Sequence, residues 1–138
     1  MEECRRIDGI EGLVDFISCR YRKAAEIGIG HFSGVAYGLL EKGLRVFATD
    51  IVPFHYEGIR VITDDITSPD ASLYREVDLI YSMRPPPELV PYMKRLAETS
   101  SADLIVKTLS SEYVEGCRLV RNGTTTFFVW KWENSVLE

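Results

Sequence analysis

A chain of 138 residues, 46% of them hydrophobic, has material for one buried core and too little for a second full domain. With 16 basic against 21 acidic side chains the net charge is −5 and the pI is near 5.1, which argues against a nucleic-acid clamp built on general phosphate attraction. An aromatic content of 11% excludes a disordered chain, no apolar run reaches the roughly 18 residues of a membrane span, and Met1-Glu-Glu-Cys-Arg-Arg6 lacks the basic-then-apolar order of a signal peptide. The expectation is one soluble, cytoplasmic domain over residues 1–138.

In chain order, Asp8-Gly-Ile-Glu11 resembles a capping box. Ile10, Leu13, Val14 and Ile17 then recur on one helical face, which predicts an amphipathic helix over about 9–21. Lys23-Ala-Ala-Glu-Ile-Gly-Ile29 reads as a buried strand running into glycine. Ser33 is a possible N-cap for a helix whose stripe of Val35, Ala36, Leu39 and Leu40 stops at Gly43. Arg45-Val-Phe-Ala-Thr-Asp50 and Arg60-Val-Ile-Thr-Asp-Asp65 are the second and third strands. Ser68-Pro69-Asp70 has the cap-then-proline chemistry of a helix start, predicting a short helix to about Arg75.

Val77-Asp-Leu-Ile-Tyr-Ser-Met83 is a fourth strand, broken by Pro85, Pro86 and Pro87. Leu89, Tyr92, Met93 and Leu96 mark the following helix, with Pro91 in its first turn, where a missing donor does least harm. Asp103-Leu-Ile-Val-Lys-Thr-Leu109 is the fifth strand. Asn122-Gly123, flanked by Arg118-Leu-Val-Arg121 and Thr124-Thr-Thr-Phe-Phe-Val-Trp-Lys-Trp132, predicts a hairpin. Strands alternating with helices imply a parallel sheet covered on both faces, and the hairpin adds an antiparallel edge.

The chemistry concentrates in Glu26-Ile-Gly-Ile-Gly-His-Phe-Ser-Gly34, between the first strand and the helix after it. Glycines at such a turn let backbone approach a ligand, and a helix start offers unpaired amide donors. Asp50, closing the next strand, stands where an acid can accept both hydroxyls of an adenosine ribose. The plainer reading makes the glycines a tight turn and Asp50 a loop cap. Glu26 bears on which nucleoside would bind. Its charge would repel a dinucleotide pyrophosphate, by about 4 kcal/mol at about 4 Å and an effective dielectric of about 20. It would attract S-adenosylmethionine, which carries an ammonium and a sulfonium. The spacing Gly28-x-Gly30-x-x-x-Gly34 also departs from the GxGxxG of nicotinamide enzymes.

These residues resemble the first motif of class I S-adenosylmethionine-dependent methyltransferases, over about residues 20–132. Glu26, Gly28 and Gly30 match its acid and spaced glycines, with Phe32 where a third glycine is usual. The resemblance implies a Rossmann-like three-layer sandwich of seven strands with a reversed last strand. It makes Asp50 the ribose acceptor and Asp65 with Ile66 the pair that reads adenine. More narrowly, Glu26-Ile-Gly-Ile-Gly30, Ala48-Thr-Asp-Ile51 and Asp78-Leu-Ile-Tyr-Ser-Met-Arg-Pro-Pro86 are similar to a small archaeal family of uncharacterised proteins with a methyltransferase-like fold. A fold alone does not assign a reaction.

Acceptor-binding candidates are Ser82, Arg84, Pro85 and Glu88, at and beyond the fourth strand's end. Ser82 is separated from the prolines by Met83 and Arg84, unlike the acid- or amide-proline-proline run of amino-methylating relatives. Arg84 could hold an acidic group. Glu88, His31 and Asp65 are candidate bases, none singled out, and Lys107 and Thr108 could reach the same crevice. Cys4, Cys19 and Cys117 have no disulfide or metal spacing and read as packing or surface thiols. Trp130, Trp132, Tyr21, Tyr37 and Tyr92 read as packing. The expected function is a methyltransferase-like protein binding a small nucleoside. The alternatives are a non-catalytic nucleoside-binding or assembly module on the same fold and, third, a nicotinamide-binding protein.

Overall fold

Alternation along each strand decides which layer a side chain joins, and the central strand shows it directly. In β1 (Lys23–Ile27), Ala24 faces one apolar layer while Ala25 and Ile27 face the other. The computed structural model describes residues 10–108 and 116–132. Around β1 stand α1 (Glu11–Arg20), α2 (Gly34–Glu41), β2 (Arg45–Asp50), β3 (Arg60–Thr63), β4 (Leu79–Met83), α3 (Val90–Ser100), β5 (Asp103–Lys107), β6 (Arg118–Asn122) and β7 (Thr125–Trp130). They form one sheet in the order β3-β2-β1-β4-β5-β7-β6. Pairing is parallel from β3 through β5, and β7 runs antiparallel between β5 and β6.

Helices cover both faces, as strands buried on both sides require. On one, Leu13 and Ile17 of α1 and Val35 and Leu39 of α2 pack on Ala24, Leu79, Ile105 and Phe127. On the other, Met93, Leu96 and Ala97 of α3 and Tyr74 pack on Ala25, Ile80, Leu104 and Trp130. Trp132 joins that second layer from its margin. Tyr21 is buried, whereas Tyr37 is 39% exposed because its hydroxyl reaches out to donate to the Glu57 carbonyl at 2.7 Å. Asp78, just before β4, accepts the Arg22 and Lys23 amides at 3.0 Å and fixes where β1 begins. Below the sheet, Asp103 Oδ2 accepts from the Tyr21 hydroxyl at 2.6 Å and from Lys131 Nζ at 2.8 Å, tying α1, β5 and the chain after β7 together.

Several boundaries differ from expectation for local reasons. Asp70, not Ser68, caps the short helix: its Oδ1 accepts the Ser72 amide at 3.1 Å, and one 3-10 turn, Ala71–Tyr74, follows. The hairpin turn lies at Gly123-Thr124, since Asn122 still pairs with Thr125 in the ladder. Asn122 instead donates its side-chain amide to the Gly12 carbonyl at 2.9 Å, docking the hairpin on α1. The expected ends of the first, third and fourth strands run past the ladder, which stops at Ile27 and Thr63 and begins at Leu79. Asp8, Cys4 and Leu109 lie outside the described residues.

Candidate functional site

β1 has β2 on one side and β4 on the other, so the chain crosses in opposite directions from it. Loops leaving the carboxyl ends of such strands diverge and leave a crevice. Here the crevice is a cavity of about 430 Å³ lined from β1, β2 and β4 and from the segments after β3 and before α3, a size that suits a small ligand.

One wall is the turn after β1. Gly28 and Gly30 sit at φ +72° and +52°, a region that costs other residues about 1–2 kcal/mol. The Gly28 amide donates to the Thr49 carbonyl at 2.8 Å, latching the turn to β2. Asp50 continues the latch: Oδ2 accepts the Gly30 amide at 2.8 Å and Oδ1 the Val52 amide at 3.0 Å. The Tyr56 hydroxyl donates to the Gly30 carbonyl at 2.5 Å. Asp50 is therefore a loop cap, and it also lines the cavity. Each of its oxygens keeps a second lone-pair direction for a ligand.

Gly28, Asp50, Asp65, Ile66, Ser82, Arg84 and Pro85 converge on this one cavity. Ser82 is committed to the frame, donating Oγ to the Ile27 carbonyl at 2.8 Å, a buried bond between β4 and β1. Asp65 is exposed, and its Oδ1 accepts both the amide (2.9 Å) and the hydroxyl (2.8 Å) of Thr67, donors that hold its carboxyl below the usual range.

Of the expected binding residues, Glu26, Gly30 and Glu88 are not on the lining, and neither are the further candidates His31, Lys107 and Thr108. Gly30 acts through its bonds to Asp50 and Tyr56. Glu88 is exposed on the 3-10 turn Pro87–Leu89, which turns Leu89 toward the cavity instead. Glu26 is the main correction. Strand alternation places it on the face opposite Ile27, where it is 0% exposed and accepts the Tyr81 hydroxyl on Oε1 at 2.8 Å. Burial, with help from the Asp50 charge, raises its carboxyl to about 8 against the opposing pull of the Tyr81 bond. Its carboxyl is pushed toward the neutral form rather than standing as an open anion, and its Oε2 has no hydrogen-bond partner.

Sequence reasoning missed Thr49, Asp64, Thr67, Leu89 and Met93 on the lining. Asp64 had a signal, as the other acid of the pair leaving β3. Its Oδ2 accepts the Tyr74 hydroxyl at 3.1 Å and its Oδ1 the Asp70 amide at 3.1 Å. His31 is exposed and stands edge-on to Phe54 at 4.9 Å, away from the lining. Arg84 is a non-glycine residue at φ +54°. Its amide donates to the Lys107 carbonyl at 2.6 Å, and its guanidinium carbon lies 5.3 Å from the centre of the Phe32 ring. Phe32, in place of a third glycine, is thus a platform beside the site.

Residues 11–132 match the pattern of a family described as "Uncharacterised protein family (UPF0146)". A UPF0146 protein of Archaeoglobus fulgidus is 40% identical over 124 residues, 88% of this chain and 95% of its own. One from Methanocaldococcus jannaschii is 41% identical over 96 residues, 66% of this chain and 69% of its own. Among solved structures, a protein of Pyrococcus horikoshii OT3 superposes with a TM-score of 0.58 at 16% identity, covering 95% of this chain and 77% of that one. The 1,6-didemethyltoxoflavin-N1-methyltransferase of Burkholderia thailandensis, with bound 1,6-didemethyltoxoflavin and S-adenosylhomocysteine, gives 0.54 at 16% identity, covering 91% of this chain but 62% of that enzyme. A SAM-bound amino pentose methyltransferase from Micromonospora echinaspora gives 0.52 at 16%, covering 85% of this chain and 59% of that enzyme. The chain therefore spans less than two thirds of either enzyme. What it shares with these structures is the methyltransferase fold.

Proposed function

We propose that this chain, which belongs to the UPF0146 family, binds S-adenosylmethionine across the carboxyl ends of β1 and β2 and directs methyl transfer to a small acceptor. The observation that carries this reading is Asp50, which caps the Gly28–Gly30 turn and lines the cavity with the same carboxylate. Its remaining lone pairs suit the two hydroxyls of a ribose. Ile51, Ile66, Leu89 and Met93 supply apolar walls for a purine. Together the residues present fit this ligand.

When bound, S-adenosylmethionine supplies a methyl group on a sulfonium, an electrophile that reacts once a nucleophile is held in line. The chain's contribution is binding and orientation: Asp50 and the glycine turn seat the nucleoside, and the rigid Ser82–Pro86 segment faces the acceptor. A non-catalytic nucleoside-binding or assembly module is the second reading. It is favoured by the short link between β3 and β4, whose only helical element is the four-residue turn Ala71–Tyr74, too small to fold over the site as a lid.

Calorimetric titration with S-adenosylhomocysteine, with NADH as control, tests the binding. Micromolar affinity for the first alone is expected. Asp50→Ala should weaken it by about 1.5–3 kcal/mol through lost charge-assisted bonds, while NADH binding in place of S-adenosylhomocysteine would reverse the assignment. Turnover of S-adenosylmethionine to S-adenosylhomocysteine with an acceptor then separates enzyme from module.

A further inference from the structure

Two cations stand together at the carboxyl edge of the sheet. Arg84 follows β4 directly and Lys107 ends β5. Met83 and Lys107 are register partners, and the Arg84 amide is bonded to the Lys107 carbonyl. The ion pairs among the described residues join Lys23 to Glu76, Lys42 to Asp15 and Lys131 to Asp103. None of these reaches Arg84 or Lys107.

Their placement is built rather than loose. The Arg84 backbone is held left-handed between β4 and Pro85, and its guanidinium lies over Phe32. A guanidinium resting on an aromatic face keeps its N–H edges available for a planar anion. Lys107 is half-buried, and burial together with the Arg84 charge holds its ammonium below the usual lysine range. Neighbouring like charges repel, and an anion placed between them relieves that repulsion. Arg84 also lines the cavity whose β2–β3 side carries Asp50, Asp64 and Asp65. The crevice thus has an acidic side at β2–β3 suited to hydroxyls and Arg84 at its β4 side, with Lys107 beside Arg84 at the end of β5 but off the lining.

From this juxtaposition we infer that the methyl acceptor is an anion, a small molecule bearing a carboxylate or phosphate that Arg84 grips bidentately and Lys107 neutralises. The acceptor role rests on the proposed function, whereas the anion site does not. The tail carboxylate of the adenosyl ligand offers the same chemistry, and the two sources behave differently on titration.

Inorganic phosphate, titrated into the protein with and without saturating S-adenosylhomocysteine and followed by the Arg84 side-chain and amide resonances, is the probe. Phosphate should bind in both states. Its affinity should fall about tenfold or more in Arg84→Gln and in Lys107→Met, as expected for loss of a charge-assisted contact. Arg60→Gln, an exposed change on β3, should leave phosphate binding unaltered. Affinity for S-adenosylhomocysteine should stay within about twofold in all three variants. Both site variants keep the backbone bond that joins β4 to β5, and matching thermal midpoints would verify their folding. Phosphate that leaves the Arg84 signals unmoved, or binds Arg84→Gln equally well, overturns the anion site. Competition between phosphate and S-adenosylhomocysteine, with about tenfold weaker nucleoside binding in Arg84→Gln, assigns the pair to the nucleoside tail and overturns the acceptor role. Phosphate binding without any nucleoside binding overturns the methyltransferase reading and leaves the anion site standing.

Discussion

Glu26, buried beside the glycine turn, shows how one side chain ties stability to pH. In the unfolded chain its carboxyl titrates near 4.5, and in the fold burial raises it to about 8. Between those values the folded state holds a proton that the unfolded state has released, so stability falls as pH rises through that window. The contribution is complete below the lower value and is lost as pH passes the upper one, where the carboxylate must ionise inside the protein. Glu26→Gln keeps an acceptor for the Tyr81 hydroxyl and has nothing to ionise. Urea unfolding at several pH values should show the parent losing stability from mildly acid to mildly alkaline pH and the variant losing markedly less. Parallel slopes would mean that Glu26 is hydrated and ionised in the fold. The sequence showed Glu26 as an acid beside a glycine turn. Its burial was not legible there, because Tyr81 comes from a strand 55 residues away and meets Glu26 only through the β1–β4 register.

At the scale of elements, Gly12 sets helix propensity against packing. It lies in α1, where alanine is ordinarily favoured by about 0.8–1 kcal/mol. A Cβ there would stand 1.9 Å from the Asn122 carbonyl oxygen and 3.1 Å from Thr125 Oγ1, so α1 and the hairpin meet at bare backbone. Gly12→Ala should therefore destabilise the protein by about 1–3 kcal/mol, as overpacking does, reversing the sign that propensity assigns. A thermal midpoint at or above that of the parent would show that the two elements separate freely. The elements themselves were legible because their signals are local: apolar runs bounded by glycine and proline, and stripes of helical period. Contacts between elements were not. Asn-Gly pointed to a turn one residue early because Asn122 is held in the ladder and bonded to Gly12, a partner 110 residues away. Met93 was legible as part of a helical stripe, but its place on the cavity depends on where α3 lies against the sheet.

Across the whole molecule, stability and ligand response should separate along the sheet. β1 and β4 are paired on both sides and almost wholly buried, with Ala24, Ala25, Leu79, Ile80 and Tyr81 all 0% exposed. The edges differ: β3 has no fully buried residue, and β6 likewise has none. Opening an edge strand exposes little apolar surface, whereas opening a central one exposes both layers at once. Amide exchange should be slowest in β1, β4 and β5 and fastest in β3 and β6. The site lies on the β2–β1–β4 side, and the hairpin lies on the far side of β5. Under the proposed function, S-adenosylhomocysteine should slow exchange at Gly28, Gly30 and Val52, whose amides sit in the turn and loop that Asp50 joins, and leave β6 unchanged. Slowing spread evenly from β3 to β6 would mean that the ligand acts on global stability alone. A change confined to the hairpin would move the site to the other side of the sheet and exclude Asp50 from it.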